Sequence, residues 1–189
     1  LFEANETLQV GKMVPASGAA SRMFKGFDLP SIEKRWAECK QLPFATGSDA
    51  AGLFEKLSTL RNTPKGLIPF HNYDGTFLTP VAEHLWEAMQ LGNGAPLPIH
   101  FTVSGAHQES FQTECSNIQD EWNIHFNTSF STQDPATDTV ALEHSRELVR
   151  LPNGDPLKRP GGHGALLPNV NDLAWDVTFI KNIDNVQRQ

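Results

Sequence analysis

Apolar positions along the chain fall into two periods. Short runs of branched and aromatic residues, bounded by Gly, Pro, Asn or Ser, occur at Lys12 to Pro15, Ile99 to Ser104, Ile124 to Phe130 and Asp176 to Ile183, and predict strands. Between them the spacing becomes helical. Leu53, Leu57 and Leu60 share one stripe, as do Val81, Leu85 and Met89, then Phe111, Cys115, Ile118 and Trp122. Thr79-Pro80 marks a helix start and Gly92 a stop, while Ser31 after Pro30 starts another helix that ends near Pro43. Alternating strands and helices predict βαβ units on a largely parallel, Rossmann-like sheet with helices on both faces, an α/β fold of three layers, α/β/α. Ligands of such sheets bind outside the carboxyl ends of the strands. The longest expected loops are Asn93 to Pro98 and Pro152 to Gly164.

Composition narrows the class. With 189 residues, 39% hydrophobic and 20% charged, the chain can bury a core, and residues 1–189 are expected to form one domain. It starts at Leu1 rather than Met and stops soon after Val186, so the expectation is the N-terminal part of a longer protein. A net charge of −7 without a clustered basic patch argues against nucleic acid as a partner. No apolar run spans a bilayer and no leader precedes Val10, so no membrane partner is expected. Cys39 and Cys115 lie far apart and predict two reduced thiols in a cytoplasmic protein.

Five segments carry candidate chemistry. After the first strand, Ser17-Gly18-Ala19-Ala20-Ser21 has only small side chains, so successive backbone N–H groups can approach an anion, and Arg22 can pair with a phosphate through its planar fork. Pro64-Lys65-Gly66 holds a lysine in a restricted turn, where it can serve a phosphoryl group as a point charge. Gln133 ends a strand with an amide that donates and accepts, as recognition of uracil or a similar base edge requires. Pro160-Gly161-Gly162-His163-Gly164 surrounds one His with three glycines and permits close approach to a flat ligand. Asp184 follows the last strand and suits a hard cation such as Mg²⁺, shared between a carboxylate and substrate phosphates. Taken singly, each also fits a plain structural role: a strand-to-helix turn, an exposed turn lysine, a solvated strand end, a surface turn, an Asx turn. The chain lacks a G-x-S-x-G elbow, an H-E-x-x-H pair and a kinase signature, and its histidines show no zinc spacing.

In their order, these motifs resemble those of nucleotidyltransferases of the glycosyltransferase-A-like fold, especially the UDP-sugar pyrophosphorylases. The matching positions are Ala16 to Met23, Pro64 to Gly66, Gln133, Pro160 to Gly164 and Asn182 to Asn185. The wording Pro-Ala-Ser-Gly-Ala-Ala-Ser-Arg-Met and Arg-Pro-Gly-Gly-His-Gly-Ala-Leu is closer still to a bacterial family described only as a domain of unknown function (4301). The resemblance implies a fold of the nucleotide-diphospho-sugar transferase type and a Mg²⁺-dependent transfer from an NTP, UTP favoured, to a sugar 1-phosphate with release of pyrophosphate. It implies Arg22, Lys65 and Asp184 as catalytic, with Asp184 as the metal ligand. Nucleotide contacts would come from Ala16, Ser17, Gly18, Ala19, Ala20, Ser21, Gln133, Gly161, Gly162 and His163. This chain departs from that pattern in having one glycine in the first loop, a helical insertion at about 31–62, and no sugar-binding half after the last strand. The alternatives are a nucleotide-binding module without catalysis and a protein-interaction domain on the same fold.

Overall fold

The computed structural model describes residues 8–18, 20, 23–92 and 94–185. In chain order its elements begin with strand β1 (Val10–Pro15) and helices α1 (Leu29–Lys34), α2 (Trp36–Cys39) and α3 (Ala50–Leu60). The hairpin β2 (His71–Tyr73) and β3 (Thr76–Leu78) leads into α4 (Pro80–Leu91), followed by β4 (Ile99–Val103), α5 (Gln108–Trp122) and β5 (Thr128–Thr132). The last third holds β6 (Thr139–Val140), β7 (Lys158–Arg159), α6 (Leu167–Asn171) and β8 (Val177–Ile180). Among the described residues no helix is long and apolar enough to cross a membrane.

The central sheet runs β5-β4-β1-β8 and every neighbouring pair is parallel. The mixed α/β class and parallel sheet match the expectation. Chain order along the sheet reverses at β1, since β4 and β5 build out one way and β8 is added on the other side. Outside the carboxyl ends of β1 and β8 this reversal leaves the crevice in which doubly wound folds hold ligands.

One sheet face carries the larger apolar core. Val14, Ile99, Phe101 and Val103 pack against Val81 and Leu85 of α4 and Phe111, Cys115 and Ile118 of α5, and Phe101 stacks on Phe130 with centroids 5.9 Å apart. The opposite face is covered by the α6 segment and Trp175. The indole of Trp175 lies directly over Gly11, and Asn169 donates to Ser131 Oγ and to the Thr132 carbonyl, both at 2.8 Å. That face is polar, with His100 between Ser129 and Ser131, each 2.8 Å away.

The expected insertion at 31–62 is filled by α1 to α3, which form a second core of Ile32, Cys39, Leu53 and Leu57 with Ala20, Phe24 and Ile68. Its first helix starts earlier than Ser31. Asp28 is the cap, accepting from Ser31 N–H at 2.9 Å, and Pro30 sits in the first turn, where its missing N–H costs nothing. The third strand also differs, at 128–132 instead of 124–130. Asn123 ends α5 in the left-handed conformation, and Ile124 and Phe126 then fill the core as loop residues. Beyond β8 the chain keeps to β1, with Lys181 N–H donating to Met13 O at 3.0 Å and Ile183 N–H to Pro15 O at 3.2 Å. Between β5 and the glycine-rich segment, residues 139–159 make an excursion in which Ala141, Val149 and Leu157 are bonded each to the other two.

Candidate functional site

A cleft of about 470 Å³ opens at the carboxyl ends of β1 and β8. Its walls come from five separate segments: Pro15 at the end of β1 with Ser17 and Gly18 beyond it, Lys65, Gln133 after β5, Pro160 to His163 with Leu166, and Asn182 to Asp184 after β8. Of the residues expected from sequence, Ser17, Gly18, Lys65, Gln133, Gly161, Gly162, His163 and Asp184 meet here. Ala16 and Ala20 are fully buried, their methyl groups in the two cores and not on the cleft wall. Ala19, Ser21 and Arg22 lie outside the described residues.

Backbone bonds bring the first loop and the lysine turn together. Lys65 N–H donates to Gly18 O at 3.1 Å and Ala20 N–H to Thr63 O at 3.2 Å. Gly66 lets this turn settle on the core, because a Cβ there would stand 2.9 Å from the Phe111 ring and 3.0 Å from Ile183. Lys65 Nζ then reaches Asp184 Oδ2 at 2.7 Å. The Lys65 hydrogen bond holds the Asp184 carboxyl below its ordinary range, with a smaller pull from His163 across the cleft.

Gln133 is oriented by its neighbours. The Thr137 hydroxyl donates to Asp134 O at 2.6 Å, so its oxygen must accept from the Gln133 amide NH₂ at 3.0 Å. The amide oxygen is thereby fixed as the acceptor for anything else. Gly161, although on the cleft wall, also makes a close approach to protein, since a Cβ there would lie 2.7 Å from Thr137 O. Gly18 and Gly162 do face open space, with nothing beyond their chain neighbours within 4 Å of such a Cβ among the described residues.

Beneath the Asp184 turn lies a polar layer that sequence reasoning missed. His84, fully buried on α4, donates from Nε2 to the carbonyls of Asn182 at 3.1 Å and Ile183 at 3.3 Å. Its Nδ1 has no hydrogen-bond partner among the described residues. Burial, then the neighbouring Lys12, pushes the imidazole down to about 3, so it is neutral. Glu87 bridges Lys12 and Lys181 at 2.5 Å each, and Lys12 also donates to His84 O at 3.1 Å. Burial would raise the Glu87 carboxyl, but its two lysine partners hold it low. Burial lowers Lys12 to about 8. The signal in the sequence was a lysine in the middle of the apolar run Val10 to Pro15, where a charge demands a buried partner.

As a metal centre the cleft is sparse. Among the described residues no group of three or more His, Cys, Asp or Glu converges on one point, and Asp184 is the cleft's carboxylate. That donor set fits an ion such as Mg²⁺ that keeps waters and takes further oxygens from a phosphate ligand.

The family model described as "Domain of unknown function (DUF4301)" matches residues 51–189, a span that carries Lys65, Gln133, Gly161 to His163 and Asp184. No curated protein and no solved structure matches the chain. With most of its length matched, the chain belongs to the DUF4301 family.

Proposed function

We propose that the cleft binds a nucleoside triphosphate with Mg²⁺, UTP favoured, and that the chain is a sugar-phosphate nucleotidyltransferase, or the nucleotide-binding half of one, on a fold of the nucleotide-diphospho-sugar transferase type. The observation that carries this reading is the convergence of Ser17, Gly18, Lys65, Gln133, Gly162 and Asp184 on one crevice at the reversal point of a parallel sheet. The Ser17-Gly18 backbone would face the phosphates, and Lys65 would leave Asp184 to meet charge developing at the α-phosphate. Asp184, once released, would hold Mg²⁺, which supplies charge neutralisation at the phosphate oxygens. Gln133 would accept from a base N–H through its amide oxygen. The oxygen of a sugar 1-phosphate would attack the α-phosphorus in line, and pyrophosphate would leave. Two buried free thiols, Cys39 and Cys115, suit a cytoplasmic setting.

A second reading, nucleotide binding without transfer, is favoured by one observation: Asp184, the cleft's one carboxylate among the described residues, is already paired with Lys65. Thermal melts with each of the four NTPs and Mg²⁺ test the shared step. A ligand at 100 times its Kd stabilises by about 2.7 kcal/mol, a shift of several degrees. Asp184→Asn should remove the Mg²⁺-dependent part of the shift, and Lys65→Ala should weaken binding with or without the metal. The absence of a shift with any of the four would sink both readings. Release of pyrophosphate from UTP and a panel of sugar 1-phosphates separates them, its presence supporting transfer and its absence beside firm binding supporting the module.

A further inference from the structure

Behind the glycine-rich wall of the cleft stands one buried amide that is set back from the cleft lining. Over residues 160–171 the buried side chains are Leu166 and Asn169, and of the two only Leu166 lines the cleft. An amide is taken out of water for the hydrogen bonds it makes. The Asn169 NH₂ donates to Ser131 Oγ and to the Thr132 carbonyl, both at 2.8 Å. A carbonyl can only accept, which fixes the amide with its nitrogen towards β5. Its oxygen makes no hydrogen bond among the described residues, so the donors are what this side chain supplies.

The end of β5 has need of them. Among the described residues β5 is an edge strand, paired with β4 alone, so its last residues have a sheet neighbour on one side only. Ser131 Oγ also lies 2.8 Å from His100 Nε2 on β4, and Gln133 leaves the strand directly after Thr132. From the other direction the glycine-rich backbone closes in. A Cβ on Gly161 would stand 2.7 Å from Thr137 O and 3.5 Å from Gln133 Nε2. Gln133 is thus held between a strand end and that backbone, and α6, which follows the backbone in the chain, carries the group that fixes the strand end. We propose that Asn169 is a positioning residue for base recognition: by tying β5 to α6 it keeps the Gln133 amide in register with Gly161 and Gly162, so the choice of base depends on a side chain outside the cleft. This inference rests on the nucleotide reading of the cleft.

The test is calorimetric titration of the intact chain with UTP and with inorganic tripolyphosphate, each with Mg²⁺. The same titrations are run on Asn169→Ala and on Asn169→Asp, an isostere that leaves no cavity but turns an oxygen on the Thr132 carbonyl. Both variants should bind UTP about 5- to 10-fold more weakly and tripolyphosphate within about 2-fold of the unsubstituted chain. In NMR of the ligand-free variants the Gln133 side-chain NH₂ signals should move towards those of a solvated amide. Equal weakening of UTP and tripolyphosphate would make Asn169 a general support of the fold and overturn the proposal, as would unchanged UTP binding or unchanged Gln133 signals. If the unsubstituted chain binds UTP no better than tripolyphosphate, or binds neither, the nucleotide reading falls and this inference with it. Failure confined to the variants overturns this inference alone.

Discussion

Lowering the pH from 7 to 5 should cost this protein about 2 kcal/mol of stability through one buried imidazole. His84 is fully buried, gives its Nε2 proton to two carbonyls, and is held down to about 3 against an ordinary 6.5. Because the folded value is the depressed one, the unfolded chain binds more protons between those two values. Stability from this group is therefore complete above about 6.5 and declines as the pH falls towards 3. Integrating the difference in proton binding between pH 7 and pH 5 gives about 2 kcal/mol, a figure set by the unfolded value and nearly the same for any folded value below about 4. The matching perturbation is His84→Gln, whose amide can donate to the Asn182 and Ile183 carbonyls without titrating. The charged groups around the imidazole are Lys12, Glu87 and Lys181. Lys12, at about 8, stays largely protonated and Glu87, held low by its two lysine partners, stays ionised across this window in both proteins. The downward shift of His100, caused by burial, is also common to both and cancels. Urea unfolding at pH 7, 6 and 5 should thus show the unsubstituted chain losing about 2 kcal/mol more than His84→Gln, whatever the variant's stability at pH 7. Parallel pH profiles would refute the neutral, buried imidazole.

Three further outcomes are expected. Gly11→Ala would drive a methyl to 2.2 Å from the Trp175 ring, so it should destabilise by about 1–3 kcal/mol and alter the near-UV dichroism of that indole. Cys39 and Cys115 are both free and buried, and burial together with Glu114 pushes the Cys115 thiol up to about 12. A thiol reagent at mild pH should label neither in the native state and both in urea. Asp184→Asn breaks an ion pair between side chains exposed by 29% and 46%, and solvent screening limits its stability cost to about 1 kcal/mol or less by chemical denaturation, although it should change ligand binding.

Legibility in the sequence followed how local each signal was. The strands at β1 and β4 stood out because buried parallel strands are continuous apolar runs, and the stripes of α3 and α5 because each buries one face, while α4, buried all round over Pro80 to Leu85, still kept its apolar stripe. The third strand was displaced because Ile124 and Phe126 are apolar for a tertiary reason, filling the core beyond α5. Of the 139–159 excursion only the part from Pro152 on was expected, as a loop, since its three short segments are bonded to each other and carry no regular apolar period. Lys65, Gln133 and Asp184 were recognisable as strand-end or turn residues with unusual neighbours. Their convergence was implied by the resemblance and not by their spacing, because it depends on strand order. The polar layer of Lys12, His84, Glu87 and Lys181 escaped for the same reason, its members coming from β1, α4 and the tail of β8.

That layer bears on why Asp184 can meet Lys65 at all. Past Ile180 the chain is no longer in a strand, and two backbone bonds to β1 are its remaining sheet contacts. The carbonyls of Asn182 and Ile183 point away from solvent onto α4, where an apolar side chain would leave them unpaired at a cost of about 1–3 kcal/mol each. His84 satisfies both with one N–H. An imidazole that charged would still donate there, but it would stand near Lys12 without a counter-charge other than Glu87, already engaged by two lysines. Neutrality at His84 and charge at Lys12, Glu87 and Lys181 are therefore one arrangement. Two carbonyls of the Asp184 turn are tied by it to α4, and the N–H groups of Lys181 and Ile183 tie the same turn to β1, so the carboxylate that meets Lys65 stands on a segment held from both sides.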